Sequence, residues 1–167
     1  HKKASADMSV LRVQGGRRLE GAVTVEGNKN AALPLIVASL LTTEAVTLHN
    51  VPRIGDVDVL LDLLAGLGSS IEGRGTSTLV LRAAARPGSM PDAQLVGRVR
   101  ASMLLMGPLL ARVGEVHLAP PGGDFPSRRT LSTHVQALTA LGARAIEGEA
   151  HAFDAPEGLR GASFYLD

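Results

Sequence analysis

The residues best suited to chemistry lie in a segment rich in proline and glycine, residues 120–129. It contains one carboxylate, Asp124, followed by the guanidinium groups of Arg128 and Arg129. Such a cluster is costly to bury, and Arg presents paired donors that match the oxygens of carboxylates and phosphates. The segment therefore predicts a site that handles an anion.

Two glycines, Gly122 and Gly123, precede Asp124, and prolines flank them. Glycine adopts backbone conformations closed to other residues, whereas proline stiffens the chain. This pattern predicts a lid hinged at Gly122 and Gly123. The alternative is a plain connecting loop in which Asp124 only forms a turn.

The composition narrows the chemistry further. Among 167 residues, 17 Lys and Arg nearly balance 16 Asp and Glu, whereas nucleic-acid-binding domains are usually clearly basic. The chain has no cysteine, and its five histidines lack ligand spacing, so no metal site is expected. No nucleotide-binding glycine fingerprint and no long apolar stretch occur, and we expect a soluble, cytoplasmic protein.

The elements that must position this segment form a repeated pattern. The strand pattern at 46–48 recurs at 116–118, an offset of 70, and a Leu-Gly pair at 67–68 recurs at 141–142, an offset of 74. The second copy therefore contains about four additional residues, which fall in segment 122–129. Insertions into one copy of a repeat are frequent sites of function.

The sequence pattern of each copy predicts a β-α-β-α-β-β unit, and the two units together predict an α/β protein. We expect a tag or disordered leader at 1–10, opening strands at 11–26, a first unit at 27–91 and a second at 92–167 that carries the 120–129 loop. Helices are predicted at 31–41, 56–67, 95–112 and 131–141, and strands 79–81 and 163–166 close the two units.

Local signals mark the helix ends. Asn30 and Asp56 are predicted N-caps, because their side chains can accept hydrogen bonds from a first helical turn. Gly68 and Gly142 are typical of the position just after a helix. Pro108 predicts a kink or break within 95–112, since proline lacks a backbone donor.

Motifs spread in order along residues 11–167 resemble the enolpyruvyl transferase family. They are 27–35 (GNKNAALPL), 48–52, 100–102, 107–112, 121–123, His134 and 141–143. The resemblance implies an inside-out α/β barrel of repeated units, with the active site in a cleft between two domains. Family members are well over twice as long. The chain would then comprise about two units of one domain, without the third unit or the second domain.

Within the family, the motifs are most similar to the branch whose acceptor is UDP-N-acetylglucosamine. The implied reaction transfers the enolpyruvyl group of phosphoenolpyruvate to an acceptor hydroxyl by addition–elimination, releases phosphate and serves peptidoglycan precursor synthesis. Phosphoenolpyruvate is a co-substrate, and no cofactor is expected.

The resemblance also implies roles for individual residues. Lys29 and Asn30 match a pair that contacts the sugar nucleotide and phosphoenolpyruvate. Arg100 and Arg129 match arginines that bind the phosphoenolpyruvate anion. Lys29, Arg129 and Asp124 are therefore the predicted catalytic residues.

Asp124 matches the position at which most members carry the loop cysteine that fosfomycin alkylates. The resemblance therefore implies a protein insensitive to fosfomycin. A carboxyl group with an ordinary pKa is ionised at neutral pH. Asp124 can then act as an acid only if bound phosphate raises its pKa, against the effect of the neighbouring arginines.

The segment that follows departs from the family pattern. Thr130, Leu131, Ser132, Thr133 and His134 replace Pro-Val-Asp-Leu-His, so a serine stands in place of the aspartate that contacts uracil. Only the histidine is kept. The acceptor therefore stays open between UDP-N-acetylglucosamine, UMP (as in nucleoside-antibiotic pathways) and shikimate 3-phosphate.

Gly97, upstream of this segment, also departs from the family pattern, because the family commonly has arginine there.

A further alternative is a fragment that binds ligand without turnover, because the family's base for the acceptor hydroxyl lies beyond residue 167. We expect the isolated chain to be inactive. Exposed apolar helix faces of a truncated barrel also predict a homo-oligomer.

Overall fold

The computed structural model describes residues 10, 12–122, 131–149 and 151–165. Within these ranges, helices and strands alternate along the chain. In order they are α1 (Lys29–Ala38), a 3-10 helix (Ser39–Leu41), β1 (Val46–Leu48), α2 (Gly55–Gly66), β2 (Ser70–Glu72), β3 (Leu79–Arg82), α3 (Ala93–Val96), a second 3-10 helix (Arg100–Leu105), α4 (Met106–Val113), β4 (Glu115–His117), α5 (Ser132–Ala140), β5 (Arg144–Ala145) and β6 (Ala152–Asp154).

The strands form two antiparallel sheets with the same internal order. The first is β1-β3-β2 and the second is β4-β6-β5. Val46 lies opposite Leu81 in the first sheet, and Val116 lies opposite Phe153 in the second. This correspondence confirms the predicted repeat and the α/β class. Neither three-stranded sheet closes on itself within the described residues.

Aliphatic side chains make the core, where α1 packs against α2 and the 3-10 helices adjoin α1 and α4. Fully burying one such side chain stabilises the fold by roughly 1.5–3 kcal/mol. Because only 2% of the chain is aromatic, many leucines share this task. The largest fully buried side chains include Ile36, Leu40, Leu60, Leu64, Leu81, Leu105 and Leu109.

Both predicted N-caps are displaced by two residues. The cap of α1 is Asn28, whose Oδ1 accepts hydrogen bonds from the backbone N–H groups of Asn30 (2.7 Å) and Ala31 (3.2 Å). The cap of α2 is Ile54, which has no side-chain acceptor, and Asp56 lies in the first turn. A carboxylate in a first turn is still favourable, because it faces the positive end of the helix dipole.

The predicted helix ends are confirmed, and the predicted break in 95–112 occurs at a different position. Gly68 and Gly142 have φ of +94° and +102°, the left-handed conformation expected after a helix. The helical run 95–112 is interrupted at 97–99, before Pro108. Pro108 instead lies in the first turn of α4, where its missing donor is not needed.

Two predicted strand regions are wrong. The described part of 11–26 contains no strand, and its apolar side chains are exposed, Val23 by 91%. An extended segment needs a neighbouring strand for its backbone hydrogen bonds, and no described residue pairs with this one. The second unit closes at Ala152–Asp154 instead of 163–166, because Phe153 is the residue that enters the core.

Candidate functional site

A cavity of about 620 Å³ lies where the two units meet. Its walls come from the start of α1, the first turn of α2, the connection 98–99, the second 3-10 helix and the start of α5. The lining residues are Lys29, Asn30, Leu33, Pro34, Asp56, Arg98, Val99, Arg100, Ala101, Met103, Leu104, Leu131 and His134. Five predicted site residues therefore share one cavity: Lys29, Asn30, Arg100, Leu131 and His134.

The first-unit wall is held by a close backbone approach at Gly27. A Cβ added to Gly27 would lie 1.7 Å from the carbonyl oxygen of Asn50, so no larger residue fits there without a shift of backbone. Asn50 itself has φ +55°, a conformation that Asn tolerates better than most residues. This contact and the Asn28 cap fix where α1 begins, and Lys29 is its first residue.

Lys29 makes an ion pair with Asp56, and the Nζ–Oδ2 distance is 2.5 Å. Their side chains are 51% and 40% exposed, so water screens the pair and its contribution to stability is small. Its effect is geometric, because Asp56 in the first turn of α2 holds the Lys29 ammonium at the cavity wall.

The second-unit wall centres on the turn between α3 and the second 3-10 helix. Val99 is only 2% exposed and anchors this turn in the core, with Arg98 and Arg100 on either side. The buried Ser102 hydroxyl donates to the carbonyl oxygens of Val99 (2.7 Å) and Val96 (3.3 Å). Two arginines are therefore presented from a tightly bonded turn.

The backbone of Gly122 packs directly against Gly97. The Gly122 N–H donates to the Val96 carbonyl over 3.3 Å, and a Cβ on Gly122 would lie 1.4 Å from the Gly97 oxygen. Glycine at 122 is thus needed for a close approach, and the predicted hinge role stays a prediction. Gly97, which stands where the family commonly has arginine, is the other partner in this contact.

His134 of α5 and Leu131, the residue just before this helix, line the cavity, whereas Ser132 and Thr133 are not among the lining residues. None of the helix residues from Ser132 to Ala140 is buried. A smaller cavity of about 200 Å³ lies between α5 and the 3-10 helix, with His134 shared between the two cavities. Helix α5 therefore contacts the core only through half-buried side chains, among them Val135 and Leu138.

Four predicted site residues, Gly123, Asp124, Arg129 and Thr130, lie outside the described residues. Their roles stay predictions that rest on sequence. Within the described ranges, no group of three His, Asp or Glu side chains could hold a metal ion. A search of the same ranges for membrane-spanning helices found none.

The arrangement is suited to binding anions. Among the described lining residues, three cationic side chains face one carboxylate. Sequence reasoning missed two of the four, Arg98 and Asp56. Arg98 lies two positions before the predicted Arg100, and this spacing was the signal from which a second arginine of the cavity could have been predicted. Asp56 was predicted only as a helix cap, since its pairing with Lys29 depends on how α1 packs against α2.

Comparison with known proteins places this geometry among enolpyruvyl transferases. Residues 13–166 match the family described as EPSP synthase (3-phosphoshikimate 1-carboxyvinyltransferase). The chain is 49% identical over 155 residues to a UDP-N-acetylglucosamine 1-carboxyvinyltransferase of Bradyrhizobium diazoefficiens, covering 93% of this chain and 36% of that protein. The enzyme of the same name from Treponema pallidum is 44% identical over 160 residues, covering 96% of this chain and 37% of that protein. The chain thus spans little more than a third of these relatives.

Solved structures agree on the fold. The enolpyruvyl transferase NikO from Streptomyces tendae superposes with a TM-score of 0.72 at 24% identity, over 87% of this chain and 32% of that one. An EPSP synthase from Acinetobacter baumannii gives a TM-score of 0.63 at 20% identity, over 87% of this chain and 34% of that one. The predicted enolpyruvyl transferase fold is confirmed.

Proposed function

The chain belongs to the EPSP synthase (3-phosphoshikimate 1-carboxyvinyltransferase) family, and we propose that it forms part of an enzyme transferring the enolpyruvyl group of phosphoenolpyruvate to UDP-N-acetylglucosamine. The observation that carries the proposal is the meeting of Lys29 from the first unit with Arg100 from the second in one cavity. The similarity to relatives that bear this activity in their name supports the choice of acceptor.

The reaction requires fixed positive charge. The acceptor hydroxyl loses its proton as its oxygen attacks C2 of phosphoenolpyruvate, and C3 gains a proton. In the second step C3 loses a proton, the bond from C2 to the phosphate oxygen breaks, and inorganic phosphate leaves. Phosphoenolpyruvate carries a carboxylate and a phosphate, so Lys29 and Arg100 would hold both anionic groups in place before reaction.

The remaining roles follow from the family resemblance. Arg129 would add a further cation for the phosphoenolpyruvate anion. Asp124 would protonate C3 or the departing phosphate, provided that bound substrate raises its pKa. Asn30 and His134, which line the cavity from α1 and α5, would orient the acceptor. A hinge at Gly122 and Gly123, a cytoplasmic location and a homo-oligomer stay predictions.

UMP is a second candidate acceptor, because the segment that would contact the uridine nucleotide departs from the pattern of the UDP-sugar branch. Ser132 stands where the UDP-sugar branch has the aspartate that contacts uracil, and it does not line the cavity. Isothermal titration of the 167-residue chain with UDP-N-acetylglucosamine, UMP and shikimate 3-phosphate separates the acceptors. The proposal expects heat only from the uridine nucleotides, with UDP-N-acetylglucosamine bound more tightly. Binding of UMP alone, or of shikimate 3-phosphate, would reject the proposed acceptor.

The position of Asp124 has its own test. With no cysteine in the chain, the protein is expected to ignore fosfomycin. An Asp124→Cys variant should gain covalent labelling, detected as an intact-mass increase in the presence of substrate. An unlabelled variant that still binds UDP-N-acetylglucosamine would show that Asp124 does not occupy the loop-cysteine position.

A further inference from the structure

Arg98 is a cationic side chain of the cavity to which the family resemblance assigns no role. It lines the same wall as Arg100. Among the described residues its guanidinium group contacts no carboxylate, whereas the Lys29 ammonium is paired with Asp56. A ligand anion could bind Arg98 without breaking an ion pair of the protein.

The backbone that carries Arg98 is fixed on both sides. Val96 and Val99 are 0% and 2% exposed, and the Arg98 N–H donates to the Leu95 carbonyl over 3.0 Å. The Gly122 N–H holds the end of α3 through the Val96 carbonyl. Only the Arg98 side chain has to become ordered on binding, which lowers the entropic cost.

An exposed arginine is more often a solvated surface charge that binds nothing. Three features separate Arg98 from that case: it borders a concave cavity, its backbone is anchored, and two other cations share the cavity. The cavity volume of about 620 Å³ also leaves room for more than one small anion.

We infer that Arg98 binds phosphoryl oxygens of a substrate and is a further cation of the site besides Lys29, Arg100 and Arg129, an inference that rests on the proposed function. A guanidinium group donates two parallel N–H bonds to a phosphate, which fixes orientation as well as charge. The phosphoryl group comes either from phosphoenolpyruvate or from the diphosphate of the acceptor. Arg98 would thus help to determine which phosphorylated ligands are held.

The arginine Nε–H signals of the ¹⁵N-labelled 167-residue chain provide a residue-specific readout. Arg98→Gln identifies the Arg98 signal by its loss. The chain is titrated separately with phosphoenolpyruvate, UDP-N-acetylglucosamine and inorganic pyrophosphate. We expect the Arg98 signal to shift with at least one of them, and Arg98→Gln to weaken the binding of that ligand about tenfold. The ligand that moves the signal identifies the source of the phosphoryl group.

Arg160→Gln is the matched control, because it removes the same charge from an exposed arginine outside the cavity. It should change affinity by less than about twofold, since screened charges far from a ligand act weakly. An equal loss in both variants would show that net charge, and not Arg98, is responsible.

Two outcomes separate this inference from the proposed function. In the first outcome, the ligands bind the wild-type chain, Lys29→Gln and Arg100→Gln abolish binding, and Arg98→Gln binds like the wild type. This outcome overturns the inference, and the proposed function stands. If no ligand binds the wild-type chain, the inference is overturned, whereas the proposed function is decided by turnover of an enzyme at the full length of its relatives. Because Arg98 is exposed, its replacement is expected to leave the fold intact, which circular dichroism of each variant would verify.

Discussion

The two repeated units share a sheet order but use their helices differently. In the first unit, α2 buries Val57, Val59, Leu60, Leu61, Leu63 and Leu64. In the second, the corresponding helix α5 buries none of its residues. The first unit therefore supplies a core-anchored scaffold, whereas the second keeps its helix near the surface and directs part of it toward the cavity.

The connecting segments show the same contrast. Between the first helix and the first strand of unit one, a short 3-10 helix contributes the fully buried Leu40 to the core. In unit two, the longer run from α3 to α4 is interrupted and turns Arg98 and Arg100 toward the cavity. The second unit thus supplies cavity arginines from a connection whose counterpart in the first unit contributes Leu40 to the core.

The largest expected effect tests whether α2 is packed more firmly than α5. Leu64→Ala, at a fully buried position of α2, should cost about 2–5 kcal/mol of the free energy of unfolding, because it leaves a cavity. Leu138→Ala, at a partly exposed position of α5, should cost less than about 1 kcal/mol. Urea denaturation of both variants measures the difference. Equal losses would mean that α5 is as firmly packed as α2.

The next effect tests the link between the units. The Arg112 guanidinium of α4 donates to the carbonyl oxygens of Leu40 (2.5 Å), Ala84 (3.1 Å) and Ala85 (2.9 Å). Arg112→Lys keeps the charge but loses this three-way contact, and it should cost about 1.5–3 kcal/mol of the free energy of unfolding.

Arg74→Lys is the matched control for Arg112→Lys. Arg74 makes an exposed ion pair with Asp62 inside the first unit, and its replacement should cost less than about 0.5 kcal/mol in the same urea titration. A loss at Arg112 no greater than that at Arg74 would show that the three carbonyl contacts do not hold the units together.

A third effect concerns the close contact at Gly122. Gly122→Ala should destabilise the fold by about 1–3 kcal/mol, because the added methyl group would collide with the Gly97 carbonyl. Gly66→Ala in α2 meets open space and should be neutral or stabilise by up to about 1 kcal/mol. Thermal unfolding of both variants compares them, and a stable Gly122→Ala protein would remove the argument for a required glycine there.

The smallest effect lies in the sheets. Arg144 on β5 pairs with Asp154 on β6, and the hydrogen bonds from its guanidinium lower the pKa of the Asp154 carboxyl group. At the equivalent place in the first sheet, Ser70 lies opposite Arg82. A lowered pKa means that the contribution to stability is complete above the pKa of the unfolded state, about 3.9, and is lost as pH falls through the lower folded value.

Asp154→Asn should therefore destabilise the protein slightly at pH 7 and flatten the fall in stability below about pH 4. Urea midpoints measured from pH 7 down to about pH 3 provide the test. A variant whose midpoint falls as steeply as that of the wild type would show that this pair does not contribute to the acid dependence.

The repeat was predicted well, because the apolar alternation at 46–48 and 116–118 reflects core-facing side chains: Leu48 packs against the core and Leu118 is buried in it. It failed where structure depends on partners far along the chain. The opening strands at 11–26 were expected from the family resemblance, yet a strand needs a neighbouring strand with which to pair, and no described residue pairs with this segment. The ion pair of Lys29 with Asp56 joins residues separated by a strand and two connections, and only the packing of α1 on α2 brings them together. The predicted helix caps were wrong by only two residues. For α1 the error arose because Asn28 and Asn30 have equally suitable side chains.

The most direct test is turnover by an enzyme that contains these 167 residues at the full length of its relatives, followed by ³¹P NMR of released phosphate. With phosphoenolpyruvate present, release should require UDP-N-acetylglucosamine, and Lys29→Gln should slow it by about a hundredfold or more. The isolated chain should release none. Release that responds to shikimate 3-phosphate but not to UDP-N-acetylglucosamine, or that is unchanged in Lys29→Gln, would contradict a site shared by the two units for this reaction.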